Sequence, residues 1–406
     1  MLGKKVICII SVMLGLLMIG GFVYAKGKYG PGASDTEIKV GHTNPYSGPA
    51  SAYGVIGKAI GAYFKKINDE GGINGRKINY ISYDDGYSPP KTVEQVRRLV
   101  EQDQVLLIFQ NLGTPTNSAI WEYVNKKKVP HIFVATGATK WGDPQGHPWT
   151  MGWQPNYQSE GRIYARYVLE KLPKAKVGIL YQNDDYGKDY KQGFTDGLGD
   201  KTKTMVVLEQ SYEVTDTTVD LQIVNLKNSG ADVFFNITTP KFAAMAIRKA
   251  HEIGWKPTHF LNEVSNSIKA VIEPAGYEAS QGLITTFYSK DPDDPHWKDD
   301  PAVKDWLKWM KDYYPEGNIH DRFYVYGYSA AQTLVQVLKQ AGDHLTRENI
   351  MKQAANLKDF TVPMLLPGIK INTSPKDFRP IEQEQLARFE GKTWVLFGEV
   401  IDASVR

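Results

Sequence analysis

The chain has 406 residues, too many for one ordinary hydrophobic core and comfortable for two lobes. Its residues are 42% hydrophobic and 23% charged, a globular composition. A net charge of only +3 leaves no electrostatic footprint for nucleic acid, which needs a clustered basic face.

The first 25 residues read as an export signal. Lys4 and Lys5 form a basic start, Val6 to Val23 carries no charge, and Val23-Tyr24-Ala25 resembles a small-residue cleavage site. An uncleaved anchor is the alternative, since 18 uncharged residues sit at the lower edge for spanning a bilayer; Gly20-Gly21 favours cleavage. Cys8, the single cysteine, lies inside the apolar run and not at its end, where a lipid-carrying cysteine belongs. The exported chain would hold no cysteine, which excludes disulfides, thiolate chemistry and cysteine-held metals from it. Without Lys4 and Lys5, 46 basic residues face 45 acidic ones.

Lys26 to Ser34, rich in glycine and carrying Pro31, reads as a flexible lead-in. After it, strand-like and helix-like segments alternate. Ile38–His42 predicts a strand, Ala52 to Asn68 a helix ended by Gly71-Gly72, Lys77–Tyr83 a strand, and Pro90–Gln102 a helix with proline in its first turn. Val105–Phe109, Asn117–Lys127 and His131–Val134 continue as strand, helix and strand. A second series begins after Pro155, with helices near Gln158–Lys171, Lys188–Leu198, Asp220–Ser229 and Lys241–Ile253. Its strands lie near Val177–Tyr181, Thr204–Leu208, Val233–Ile237 and His259–Leu261. Gly282–Thr286 predicts one more strand, Ala302–Asp312 and Tyr326–Lys339 helices, and Ile369–Asn372 with Trp394–Val400 a terminal hairpin. The acidic, proline-broken loop Asp291-Pro-Asp-Asp-Pro with Asp299-Asp300 reads as a solvated surface. Alternation of this kind predicts α/β architecture, with parallel sheets flanked by helices in two similar lobes.

Two strand ends carry the chemistry. Leu112-Gly113-Thr114-Pro115-Thr116-Asn117 follows Val105–Phe109, and Ala135-Thr136-Gly137-Ala138-Thr139 follows His131–Val134. Hydroxyls, glycines and free N–H groups thus collect where open α/β sheets bind small ligands. A helix N-terminus with added threonine hydroxyls suits an anion, most simply a carboxylate. Helix capping by Thr114, Thr116 and Thr136 is the plainer reading, and both uses share the same helix end. Neither stretch pairs a nucleophile with a base. Gly57-Lys58 lacks the earlier glycine of a phosphate-binding loop, and the eight histidines have no metal-ligand spacing. Asp84-Asp85 and Asp184-Asp185 are neighbours on extended segments and point opposite ways, so neither pair is set up to share a substrate.

Further motifs run in order along the chain: Asn44-Pro45-Tyr46-Ser47-Gly48-Pro49, Asn68-Asp69-Glu70-Gly71-Gly72-Ile73-Asn74-Gly75, Tyr83-Asp84-Asp85, Val129-Pro130, Gln158-Ser159-Glu160-Gly161, Asp185-Tyr186-Gly187 and Leu366-Pro367-Gly368-Ile369. In this order the sequence resembles the type I periplasmic solute-binding proteins of ABC importers, in the branched-chain amino acid branch. The resemblance implies two Rossmann-like lobes joined by three crossovers, placed near Trp149–Gln154, Gly282–Phe287 and Thr361–Pro367, with ligand in the cleft between lobes. Residues 35–151 with 285–362 would form lobe 1, and 152–284 with 363–406 lobe 2.

The resemblance also implies site residues. The third-strand turn that offers hydroxyl and amides to a ligand carboxylate falls on Gly113, Thr114, Pro115 and Thr116, where Pro115 removes one N–H donor. The fourth-strand turn falls on Ala135, Thr136 and Gly137, or on Ala138-Thr139 if the loop is shifted by two. An aromatic wall falls on Tyr186, and the acid that pairs with an amino-acid ammonium falls near Glu263. Thr238 stands where a tyrosine is expected, while Tyr53 and Tyr46 are candidates to line the cleft from lobe 1. The implied function is capture of a small carboxylate, a branched-chain or other apolar amino acid first, for a membrane permease. An aromatic or aliphatic organic acid, or a ligand-sensing role, is the alternative. No enzyme activity, cofactor, metal or nucleic-acid partner is implied.

Overall fold

The computed structural model describes residues 27–402, so the stretch that reads as an export signal and residues 403–406 lie outside the described residues. The first series runs β1 (Lys28–Tyr29), β2 (Glu37–Asn44), α1 (Gly54–Asp69), β3 (Lys77–Asp84), α2 (Pro89–Glu101), β4 (Leu107–Phe109), α3 (Thr114–Lys126), β5 (His131–Val134) and β6 (Thr150–Gly152). Strands β2 to β6 form a parallel sheet in the order β3-β2-β4-β5-β6. The second series runs α4 (Tyr157–Lys171), β7 (Val177–Gln182), α5 (Asp185–Leu198), α6 (Thr202–Met205), β8 (Val206–Tyr212), α7 (Asp220–Asn228), β9 (Val233–Ile237), α8 (Pro240–Glu252), β10 (Thr258–Leu261), α9 (Glu273–Ala275) and β11 (Ile284–Phe287). Then come α10 (Pro301–Tyr313), α11 (Phe323–Ala341), β12 (His344–Leu345), α12 (Arg347–Ala354) and the hairpin β13 (Gln383–Glu390) and β14 (Thr393–Asp402). The second sheet has the order β14-β13-β11-β10-β9-β7-β8, parallel from β11 to β8, with β13 antiparallel to both its neighbours.

The central strands are apolar runs because both their faces are covered: Leu107, Ile108, Phe109, Ile132, Phe133 and Val134 are fully buried. Helix α1 buries Ile56, Ala59, Ile60, Tyr63, Phe64 and Ile67, one apolar stripe at helical spacing. It packs on α11 at Gly327, where an added Cβ would meet the Ile56 carbonyl oxygen at 2.7 Å and Ala59 Cβ at 2.9 Å. So α11, late in sequence, belongs with the first sheet, and Arg347 of α12 holds the carbonyls of Val105 and Leu106 there.

The chain passes between the sheets three times. The first passage follows β6. The other two run side by side, with Ser289 bridged antiparallel to Leu365 and the Lys290 N–H donating to the Met364 carbonyl at 2.7 Å. Ile284–Phe287 is itself a strand of the second sheet, so the second passage starts at Tyr288 and not within Gly282–Phe287.

Three expectations need correction. The lead-in is docked: β1 pairs in parallel with β12, Tyr29 takes a hydrogen bond from Arg76 Nη2 at 2.7 Å, and Gly32 is glycine because a Cβ would meet Leu106 N at 2.2 Å. The terminal hairpin is β13–β14; Ile371 makes only an isolated bridge to Phe360. In the acidic loop Asp291 and Asp294 are buried, and Asp300 caps α10 while pairing with Lys290 at 2.8 Å. Among the described residues no helix is long and apolar enough to cross a membrane.

Candidate ligand-binding site

A cavity lies where the strand ends of the two sheets face each other. Tyr53, Ile56, Tyr87, Leu112, Gly113, Thr114 and Ala135 line it from the first lobe, and Arg322, Phe323 and Tyr326 from α11 and its cap. Gln154 comes from the first passage, and Tyr157, Tyr186, Thr239, Glu263 and Val264 from the second lobe. The cavity volume is about 50 Å³, room for several waters or one small organic molecule. Five tyrosines and a phenylalanine make the wall aromatic, and burial pushes the phenols of Tyr53, Tyr87, Tyr157, Tyr186 and Tyr326 well up. They remain neutral donors at any physiological pH.

One end of the cavity is the N-terminus of α3. Gly113 caps it at φ +101°, and its missing Cβ makes room for Tyr87, whose ring carbon would lie 2.5 Å away. Thr114 faces the cavity with its Oγ1 2.6 Å from Thr136 Oγ1. Pro115 occupies the first turn without lining the cavity. Thr116 turns its hydroxyl back to the carbonyls of Leu112 and Gly113, the latter at 2.9 Å, and does not line the cavity. Ala135 lines it, whereas Thr136 sits behind Thr114 and also accepts the Trp141 indole N–H at 3.3 Å. Gly137 is a junction between lobes: its carbonyl accepts the Tyr157 N–H at 2.8 Å, and a Cβ there would meet the Pro155 oxygen at 2.4 Å. Thr139 reaches across to Asp189 of α5.

In the second lobe Tyr186 lines the cavity, its OH accepting from Asn262 Nδ2 at 2.7 Å. Thr238 is turned away onto Asn236 Oδ1 at 2.6 Å, and the next residue, Thr239, lines the cavity instead. Tyr53 lines it from the first lobe and donates its OH to the Val264 carbonyl at 2.9 Å. Tyr46 instead bonds Ser82 at 2.6 Å and is not part of the wall. The acidic pairs are structural: Asp184 caps α5, and Asp85 holds the Tyr87 N–H and Thr92.

Glu263 lines the cavity as half of a buried ion pair, its Oε1 2.7 Å from Arg322 Nη1. Burial raises the Glu263 carboxyl, and Arg322 opposes that rise. Behind it, Glu160 accepts from the Glu263 N–H at 2.7 Å and from the hydroxyls of Tyr164 and Tyr190. Burial, then the charge of Glu263, pushes Glu160 well above the ordinary carboxylate range. Glu384 of β13, bonded to Thr286 Oγ1 at 2.7 Å, is pushed up by burial and then by Glu160. Sequence reasoning missed Arg322, Phe323 and Tyr326 because only the return of α11 to the first sheet brings them here. It missed Tyr157, although this residue opens the first helix after the chain changes lobes.

The periplasmic binding protein family model matches residues 37–393. The chain belongs to that family. This periplasmic binding protein is 26% identical over 328 residues to the Leu/Ile/Val-binding protein homolog 1 of Brucella abortus, covering 78% of this chain and 82% of the relative. Its fold superposes on the fatty acid ABC transporter substrate-binding protein from Thermomonospora curvata with a TM-score of 0.81 at 22% identity, covering 93% and 95% of the two chains. A branched chain amino acid ABC transporter structure from Thermus thermophilus with bound valine gives 0.81 at 16% identity, covering 90% and 96%. The chain is therefore a periplasmic binding protein of the type I fold, a solute-binding protein and not an enzyme.

Proposed function

We propose that this periplasmic binding protein is the extracytoplasmic receptor of an ABC importer and captures a small carboxylate with an apolar or aromatic body by closure of its two lobes. The observation that carries this reading is the cavity itself, walled from both lobes and bridged by Tyr53–Val264 and Arg322–Glu263 contacts, so that ligand enters only when the lobes part. The carboxylate belongs at the α3 end, with the hydroxyl and N–H of Thr114, the latter having no carbonyl one turn back, and the Tyr157 phenol beside them. The body of the ligand belongs among Tyr53, Tyr87, Tyr157, Tyr186 and Phe323. Three hydrogen bonds to a charged group and one buried apolar body contribute roughly 6–12 kcal/mol gross, against about 8.2 kcal/mol net for micromolar affinity. Exclusion of water on closure moves the site toward the upper figure. The export segment and the closed form's presentation to a membrane permease complete the reading.

Thermal unfolding of the chain from Lys26 to Arg406 tests it, with amino acids, aromatic acids and aliphatic acids each set against its own amide. At 100 times the dissociation constant, a ligand of the folded state adds about 2.7 kcal/mol. Carboxylates are expected to raise the melting temperature and their amides not. A panel in which no carboxylate shifts it overturns the reading.

A further inference from the structure

Among the described residues Glu263 is the single carboxylate in the cavity wall, so it is the one side chain there that could form an ion pair with a positive charge on a ligand. That place is taken. Arg322 Nη1 lies 2.7 Å from Glu263 Oε1, with both side chains more than nine-tenths buried. The guanidinium is pinned: it also donates to Asn266 Oδ1 and to Ser289 Oγ, the latter at 2.9 Å, and its Cζ lies 4.4 Å from the centre of the Phe287 ring. It cannot swing away without abandoning all of these partners.

We propose that Arg322 is a built-in counter-ion that fills the seat of a ligand cation at Glu263, so that the site selects carboxylates lacking an amine. The inference rests on the carboxylate-capture reading and narrows it. An ammonium on the second oxygen of Glu263 would share one carboxylate with a guanidinium in a cavity walled off from bulk solvent, where like charges repel more than they do in water. The other acids nearby present no carboxylate to the cavity. Glu160 and Glu384 are both raised by burial, which favours their neutral forms, and both are hydrogen-bonded away from the wall. Asp291 and Asp321 are buried close enough to feel Arg322, but neither lines the cavity, and Asp321 is engaged by the Ser267 hydroxyl. In the cavity wall itself one anion and one cation thus face each other, leaving the α3 end to receive the ligand's own charge.

The test uses matched ligands that differ only by the amine: leucine against 4-methylpentanoate, and phenylalanine against 3-phenylpropanoate. Dissociation constants are measured by calorimetry for the wild-type chain and for Arg322→Met. The wild type is expected to bind each amine-free acid at least tenfold tighter than its amino acid. Arg322→Met, which frees Glu263, is expected to move that ratio at least tenfold toward the amino acids. A wild type that binds leucine tighter than 4-methylpentanoate overturns the counter-ion assignment while sustaining carboxylate capture. Binding of neither set overturns both readings. The wild-type ratio decides even if the variant fails to fold.

Discussion

Tyr53 is placed to serve ligand and closure at once. Its ring lines the cavity and packs 5.0 Å from Phe323, while its hydroxyl crosses to the Val264 carbonyl of the other lobe. Tyr53→Phe keeps the ring and leaves that carbonyl without its donor when the lobes are together. The expected loss is about 1–2 kcal/mol of closed state, roughly 5- to 30-fold in affinity, carried mainly by faster dissociation. Calorimetry and stopped-flow release measure it; an equal loss in the melting temperature of the ligand-free protein would mean that the hydroxyl braces the fold and not the closure. Residues such as Tyr53, Gly113, Thr114 and Ala135 were legible because a strand end and the turn after it are contiguous in sequence. Arg322 was not, because nothing local to Asp321-Arg322-Phe323 shows that it faces Glu263, 59 positions away. Thr238 and Thr239 were separable only by the backbone, which turns one onto Asn236 and the other to the cavity.

At the level of elements, the loop after β5 meets the first turns of α5 across the lobes. Asp189 accepts the Thr139 N–H at 2.7 Å, the Thr139 hydroxyl at 2.9 Å and Gln158 Nε2 at 2.8 Å, and burial raises its carboxyl. The neighbouring Lys140–Asp185 pair at 2.6 Å is far more exposed on its acidic side and adds little. Neither Thr139 nor Asp189 lines the cavity, so this contact holds the lobes together without touching ligand. Asp189→Ala is expected to speed ligand release about 10- to 100-fold, since hydrogen bonds to a charged group contribute about 1.5–3 kcal/mol, with the order of preference among ligands unchanged. Release rates across the ligand panel check this, and a reordered panel would refute it. The elements themselves were legible wherever both strand faces are apolar or a helix shows one stripe. The hairpin strand β13 escaped because Glu384 occupies an inward position, bonded to Thr286, and hides the alternation of Leu386 and its neighbours. Strand β1 escaped because its pairing partner β12 lies more than 300 residues away in a segment of two residues.

Across the whole molecule, buried titratable groups in both lobes fix how stability depends on pH. His42 in β2, His131 in β5 and His259 in β10 are buried, and burial lowers each from 6.5 to about 3. A lowered histidine contributes stability that is complete above pH 6.5 and is lost as pH falls toward 3, because the unfolded chain takes up protons that the folded chain refuses. Buried Glu160 and Glu384 run the other way. Raised by burial, they contribute stability that is complete below about pH 4.5 and is lost as pH climbs through their folded values, because there the folded chain keeps protons that the unfolded chain releases. Asp291 and Asp321, raised to about 6 by burial, oppose the histidines between pH 4 and 6. The two sets offset one another in the window from about 4.5 to 6.5, so stability is expected to peak there and fall on both sides. Each group contributes a slope of up to about 1.4 kcal/mol per pH unit. Thermal unfolding at pH 3.5, 5.5 and 8 reads this directly, with the middle value highest. Glu384→Gln keeps an oxygen for the Thr286 hydroxyl and removes one titration, so it is expected to flatten the alkaline fall and leave the acid one. A melting temperature that climbs steadily from pH 5.5 to 8 would show that Glu160 and Glu384 give up their protons in the folded chain, and that the interior beside Arg322 carries more negative charge than one ion pair balances.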